Sequence, residues 1–161
     1  MERVALFPGS FDPFTVGHKD LVVRGLKIFD RVVIGVGQNY SKRGLLSSEN
    51  RVKLIEDTFR DEPRVSVEVY DSLTVDFCRE RNIKFLLRGM RNAQDFEFER
   101  NMMQINNMLD SELMTVMLFT TPENEAISSS FVREMMAYGK DVSRYLPKEI
   151  DINNYLKENN K

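Results

Sequence analysis

Val4-Ala5-Leu6-Phe7-Pro8-Gly9-Ser10-Phe11-Asp12-Pro13-Phe14-Thr15-Val16-Gly17-His18 is the stretch from which the rest of the chain can be read. Its first four residues are a short apolar run closed by Pro8-Gly9, the pattern of a buried strand ending in a turn. From Gly17 to Phe29 the residues Val22, Gly25, Leu26 and Phe29 recur at i, i+3, i+4 and i+7, one face of a helix. Strand, loop and helix in that order predict the opening of a βαβ unit. The alternation then continues. Residues 32–36 read as a strand, and Ser48-Glu49 opens a helix carrying Val52, Ile55 and Phe59. Val65, Val67 and Val69 alternate with Ser66, Glu68 and Tyr70, as in a half-exposed edge strand. Helices are predicted over 73–81, 95–109, 129–138 and 147–156, and strands over 85–87 and 116–119, with a short polar tail at the end.

These elements predict one α/β domain over residues 1–161, with a Rossmann-like, doubly wound sheet of five parallel strands. Ligands of such sheets sit beyond the carboxyl ends of the strands. The segments to inspect are therefore 9–18, 38–42, 71–74, 88–91 and 120–130.

The 161 residues are 42% hydrophobic and 30% charged, the balance of a single globular core. The net charge of −2 lacks the basic excess that nucleic acid or an anionic membrane demands, so any phosphate site must be local. Cys78 is the sole cysteine, which rules out an internal disulfide and fits a cytoplasmic location. The opening apolar run stops at a proline, unlike a signal peptide, and no run approaches the roughly 20 residues of a membrane helix.

Gly9 permits close backbone approach, and Gly17-His18 falls at a helix start, where free N–H groups attract phosphate. There is no GxxxxGK[ST] P-loop. Gly35-Val36-Gly37 lacks the third glycine of the dinucleotide fingerprint. His18 is the only histidine. Alone at a helix start, a histidine is usually a cap or packing group. Within Thr15-x-Gly17-His18, after a strand and a Pro-Gly turn, it reads as functional.

Thr15-Val16-Gly17-His18 resembles the [HT]xGH signature of the nucleotidyltransferase superfamily, and Ile127-Ser128-Ser129-Ser130 resembles its second signature. With Arg88-Gly89-Met90-Arg91 and Asp95-Phe96-Glu97-Phe98-Glu99, these blocks are similar in order and spacing to the bacterial phosphopantetheine adenylyltransferases. The resemblance implies reversible transfer of AMP from ATP to 4′-phosphopantetheine, giving dephospho-coenzyme A and pyrophosphate. It also implies Mg²⁺ carried with ATP, feedback by coenzyme A and a homohexamer.

The resemblance further implies roles by residue. His18 stabilises the transition state, with Lys42, Arg91 and Ser10 beside it. Lys42 and Arg88 take the 4′-phosphate, Ser10 lies between the substrates, and Thr74 and Asn106 line the pantetheine side. ATP is contacted by Ser10, Phe11, His18, Gly89, Met90, Arg91, Glu99, Asn124, Glu125, Ala126, Ile127, Ser128, Ser129 and Ser130.

Physical chemistry agrees with this set. A phosphomonoester has a second pKa near roughly 6 and is largely dianionic at pH 7, so it attacks phosphorus without a general base. Positioning and charge stabilisation remain as the work of the protein. His18 then reads as a donor to transition-state oxygens. No metal cage stands out, as befits Mg²⁺ arriving on phosphates. Two positions depart from the family pattern: Asn124, where relatives often carry an aromatic, and Asn107, where many carry a basic residue. The polar Glu123-Asn124-Glu125 is expected in solvent, with adenine read by backbone groups. The competing readings are a nicotinamide mononucleotide adenylyltransferase or cytidylyltransferase, and a nucleotide-binding module without activity. On helix 95–109, Phe96, Phe98, Met102, Met103, Ile105, Met108 and Leu109 spread beyond one stripe, which predicts burial on several sides, in the core or at a subunit interface.

Overall fold

Five β-rich segments pair side by side in a computed structural model that describes residues 2–38 and 44–156. The strands are β1 (Val4–Gly9), β2 (Arg31–Gly37), β3 (Val65–Tyr70), β4 (Phe85–Met90) and β5 (Met114–Phe119). All neighbours are parallel, in the order β3-β2-β1-β4-β5. The five-stranded doubly wound sheet is as predicted, and β3 is indeed an edge. The reversal of strand order falls between β1 and β4, the place where such sheets open a crevice.

The helices are α1 (Val16–Gly25), α2 (Ser48–Thr58), α3 (Thr74–Glu80), α4 (Ala93–Leu109), α5 (Ser129–Ala137) and α6 (Asn153–Leu156). Side chains alternate across each strand, so the sheet feeds two cores. Ala5, Phe7, Val32, Ile34 and Leu87 pack with Val22 of α1, Leu54 of α2 and Val132 of α5. Leu6, Val33 and Leu86 pack on the other face with Val75, Phe77 and Cys78 of α3. The thiol of Cys78 is pushed up to about 12 by burial, then by Asp110, so it packs as an apolar group.

One expectation needs correction. The helix expected over 147–156 is confined to Asn153–Leu156. Asp151 accepts from the backbone N of Asn153 at 3.0 Å, which starts the helix there, and Ile150 N closes only one turn onto Pro147. The last residues are nonetheless anchored: Asn50 Nδ2 donates to Tyr155 O at 2.7 Å and Tyr155 Oη to Asp57 at 2.7 Å. For α4, of the two alternatives, the core is not where its apolar residues lie. Its one buried residue is Glu99, while Phe98 is 59% and Met108 86% exposed. Met114 and Phe119 of the edge strand β5 are exposed as well.

Candidate active site

Pro8 continues the ladder with β2, but it has no N–H to offer on the β4 side, toward which its carbonyl points. Accordingly β1 and β4 pair only at Ala5↔Phe85 and Leu6↔Leu86, and their last residues run on unpaired with each other. The guanidinium of Arg88 spans the gap, Nη1 donating to Pro8 O at 2.7 Å. A cavity of about 320 Å³ opens on the side of α1 and α5, lined by Ser10, Phe11, His18, Arg88, Arg91 and Ser128 among others. A second, of about 180 Å³, lies on the side of α3 and α4, against Thr74, Leu86, Arg88, Met102, Asn106 and Thr115. Pro8, Gly9 and Arg88 belong to both. The split therefore gives one crevice with two compartments and an arginine in the shared wall.

His18 is built into the start of α1. Thr15 is the N-cap, its Oγ1 accepting from His18 N at 3.4 Å, while His18 Nδ1 accepts from Thr15 N at 3.0 Å. This is a capping box with histidine in the place usual for Glu or Gln. Because a backbone N–H only donates, Nδ1 must carry a lone pair, and the ring proton sits on Nε2. The ring packs against Phe11 edge-on at 5.1 Å and against Phe14 at 5.3 Å. One edge keeps some exposure through the cavity. Its pKa is pushed down to about 4, first by burial and then by the charges of Arg91 and Arg88. At neutral pH His18 is thus an uncharged N–H donor. The folded chain resists a proton that the unfolded chain accepts from about pH 6.5 downward. This contribution to stability is complete above pH 6.5 and is lost as pH falls through about 4.

The arginines of β4 are committed differently. Arg88 donates from Nε and Nη2 to the two oxygens of Glu99, at 2.8 and 2.6 Å, a bidentate pair. Glu99 lines the smaller cavity, with its carboxylate turned to Arg88. Arg91 donates its backbone N and its Nε to Asp95 and faces the larger cavity.

The remaining predicted residues separate by location. Ser10, Phe11, Gly89, Ile127, Ser128 and Ser129 line the larger cavity. Thr74 and Asn106 line the smaller one, and Thr74 Oγ1 lies 3.1 Å from the Tyr70 hydroxyl. Gly9 serves its neighbour: a Cβ there would sit 2.7 Å from the ring of Phe11, which lies over it at φ 49°. Gly89 is needed for packing, since a Cβ would meet Leu21 at 2.3 Å. Ser128 caps α5 by accepting from Phe131 N. Ser129 donates to Pro13 O, and Ser130 accepts from Arg133. All three hydroxyls are thus engaged, but only Ser129 gives up its proton; Ser128, which accepts, keeps an O–H donor at the cavity wall beside the first-turn N–H groups of α5. Met90 is buried and its carbonyl accepts from Thr120. Glu125 and Ala126 are exposed and off the cavity wall.

Asn124 is not in solvent. It is buried, with Nδ2 donating to Thr121 Oγ1 at 3.0 Å and its carbonyl accepting from Ile127 N at 3.0 Å. A Cβ added at Gly17 would lie 3.7 Å from that of Asn124, so this loop passes close to the start of α1. Lys42 lies outside the described residues. The chain just beyond it is held by Asp12, whose carboxylate accepts from Leu45 N and Leu46 N at 2.7 and 2.8 Å. Among the described residues no three His, Cys, Asp or Glu side chains converge on a metal position.

Sequence reasoning missed Thr15 as the group that orients His18, although Thr-x-x-His has capping-box spacing. It also passed over Asp95, whose i+4 spacing from Arg91 was in view.

Residues 6–135 match the cytidylyltransferase-like family. The phosphopantetheine adenylyltransferase of Phocaeicola vulgatus is 47% identical over 150 residues, covering 93% of this chain and 99% of that one. The Bacteroides fragilis enzyme of the same name is 45% identical over the same shares. That of Lachnoclostridium phytofermentans is 46% identical, covering 92% of this chain and 91% of its own. Among solved structures, a bifunctional NMN adenylyltransferase/ADP ribose pyrophosphatase of Francisella tularensis, crystallised with AMP and a manganese ion, superposes with a TM-score of 0.73. It is 15% identical, and the match covers 98% of this chain and 49% of that one, a likeness of fold.

Proposed function

The chain belongs to the phosphopantetheine adenylyltransferases, within the cytidylyltransferase-like family, and from that premise we propose how its crevice transfers AMP from ATP to 4′-phosphopantetheine in coenzyme A synthesis. The observation that carries the reading is the split between β1 and β4, with two cavities and Arg88 common to both. ATP occupies the larger cavity. Its phosphates lie against Arg91, the N-terminus of α5 and His18, and its adenine against backbone groups near Ile127. Phosphopantetheine occupies the smaller one, its amide-bearing arm against Thr74, Asn106 and the apolar Leu86 and Met102. Its 4′-phosphate meets Arg88 at the shared wall, where two of the five guanidinium N–H groups remain after Glu99 and Pro8 are served.

The 4′-phosphate, already dianionic, attacks the α-phosphorus in line and pyrophosphate leaves. No proton has to be removed, in keeping with a His18 that is held neutral at pH 7. Nε2–H instead donates to the α-phosphate oxygens as charge grows on them. Mg²⁺ carried on ATP would supply further charge neutralisation, while His18, Arg91 and Ser128 orient the phosphates. Lys42, whose role comes from the resemblance of the sequence, completes the anion site in this reading.

Coenzyme A carries the same arm and adenosine, and it inhibits by entering this crevice. We place the enzyme in the cytoplasm: its one cysteine is buried and inert, and among the described residues no helix is long and apolar enough to cross a membrane.

A panel of ATP or CTP with phosphopantetheine or nicotinamide mononucleotide, followed by pyrophosphate release, tests the reaction. Release is expected only with ATP and phosphopantetheine, and inhibition by added coenzyme A is expected to be competitive with phosphopantetheine. Preference for another pair would refute it.

The exposed apolar residues of α4 and β5 support assembly into a homohexamer through that face, since so large a patch is unusual on a free monomer. Sedimentation is expected to show a hexamer, and a stable monomer at micromolar concentration would contradict it.

A further inference from the structure

We infer that Asp95 is the positioning residue for Arg91, fixing that side chain for the anion bound in the larger cavity. One carboxylate oxygen, Oδ2, accepts from both the backbone N of Arg91 at 3.0 Å and its Nε at 3.1 Å. Gripping one residue at its root and at its guanidinium restrains the torsions between them. The clamp is itself anchored. Asp95 sits in the first turn of α4, and its own N–H donates at 2.9 Å to Oδ1 of the N-cap Asn92.

Contrast with Arg88 sharpens the point. Arg88 spends Nε and both terminal nitrogens on Glu99 and Pro8. Arg91 spends only Nε, so among the described residues its two terminal nitrogens keep their N–H groups for a ligand. They belong to a residue that lines the cavity holding His18 and Ser128. A free arginine loses much rotational freedom when it binds phosphate. Asp95 makes that loss before the ligand arrives, which is how a fixed donor outperforms a mobile one. The alternative is that Asp95 merely favours the helix start through its charge. That role needs neither contact with Arg91, and Asn92 already caps α4.

The inference rests on the proposed adenylyl transfer, and the test separates the two. Steady-state kinetics are measured for wild type, Asp95→Ala, Arg91→Ala and the double variant, together with melting temperatures. Asp95→Ala is expected to lower kcat/KM for ATP about tenfold, at the low end of what a lost charged hydrogen bond costs. KM for phosphopantetheine is expected to stay within about twofold. Asp95→Asn, which keeps an oxygen in place, is expected to recover most of the loss. In the Arg91→Ala background, Asp95→Ala is expected to change nothing further, because it acts only through Arg91. Asp95→Ser supports the same cycle should the alanine variant fail to fold. Additive losses, or equal losses for both substrates with a lowered melting temperature, would overturn the inference. An inactive wild type would instead overturn the proposed reaction.

Discussion

His18→Ala lowers kcat by about 10²–10³-fold, the effect typical of losing one preorganised donor to a developing anion, while affinity for ATP moves little. The geometry makes the expectation specific. Nδ1 is occupied as an acceptor for Thr15 N, so Nε2–H is the only donor the ring offers. The same contact makes His18→Gln an informative partner. Glutamine is the usual occupant of this capping-box position, so its amide oxygen can replace Nδ1 and leave an N–H for the crevice. Activity is expected in the order histidine, glutamine, alanine. The chain has one histidine, so a single imidazole resonance reports its ionisation. Held down to about 4 by burial and by Arg91 and Arg88, that resonance should not titrate between pH 5 and 8. A midpoint near 6.5, or near-wild-type turnover in His18→Ala, would show that histidine is not a neutral donor.

Arg88→Ala carries two expected losses. Binding of phosphopantetheine weakens about tens- to a hundredfold, since a hydrogen bond to a charged group is worth about 1.5–3 kcal/mol, and ATP binding changes much less. The fold also weakens. Glu99 is only 8% exposed at its side chain, and truncation strips both its oxygens of their partner. Breaking a buried pair on one side costs about 3–5 kcal/mol. A quarter of Arg88 faces solvent, so we expect the lower end, a fall in melting temperature on the order of 10 °C. Glu99→Gln in the Arg88→Ala background should restore melting temperature without restoring affinity. Calorimetry would refute the assignment if ATP binding collapsed while phosphopantetheine binding held.

How much of this was legible beforehand follows from the range of the interactions. The strands, helices and parallel sheet rest on periodicity within each segment, and periodicity is local. The crevice was legible too, because Pro8-Gly9 stops the first strand where a sheet of this kind opens. His18 and Arg91 were found through motifs, and their local partners Thr15 and Asp95, at i−3 and i+4, could have been found by spacing. The Arg88–Glu99 pair was not legible in the same way. It joins a strand to the middle of a helix and depends on which α4 side chain turns inward. The same inward turn leaves the apolar residues of α4 facing outward around one buried carboxylate, so the core alternative for that helix does not hold. Asn124 misled because polar loop residues are usually solvated. Here it bonds locally to Thr121 and lies buried close to the start of α1. The C-terminal helix was overextended because its start is set by one local bond, Asp151 accepting from Asn153 N, which apolar spacing does not reveal.

The central claim is direct transfer of AMP between two ligands held in one split crevice, with no protein nucleophile. The most direct measurement uses ATP bearing a single α-thiophosphate configuration as donor and phosphopantetheine as acceptor. The account predicts thio-labelled dephospho-coenzyme A with inverted configuration at the α-phosphorus, the outcome of one in-line displacement. Retention of configuration would mean a covalent enzyme intermediate, and either that or the absence of the labelled product would contradict the account.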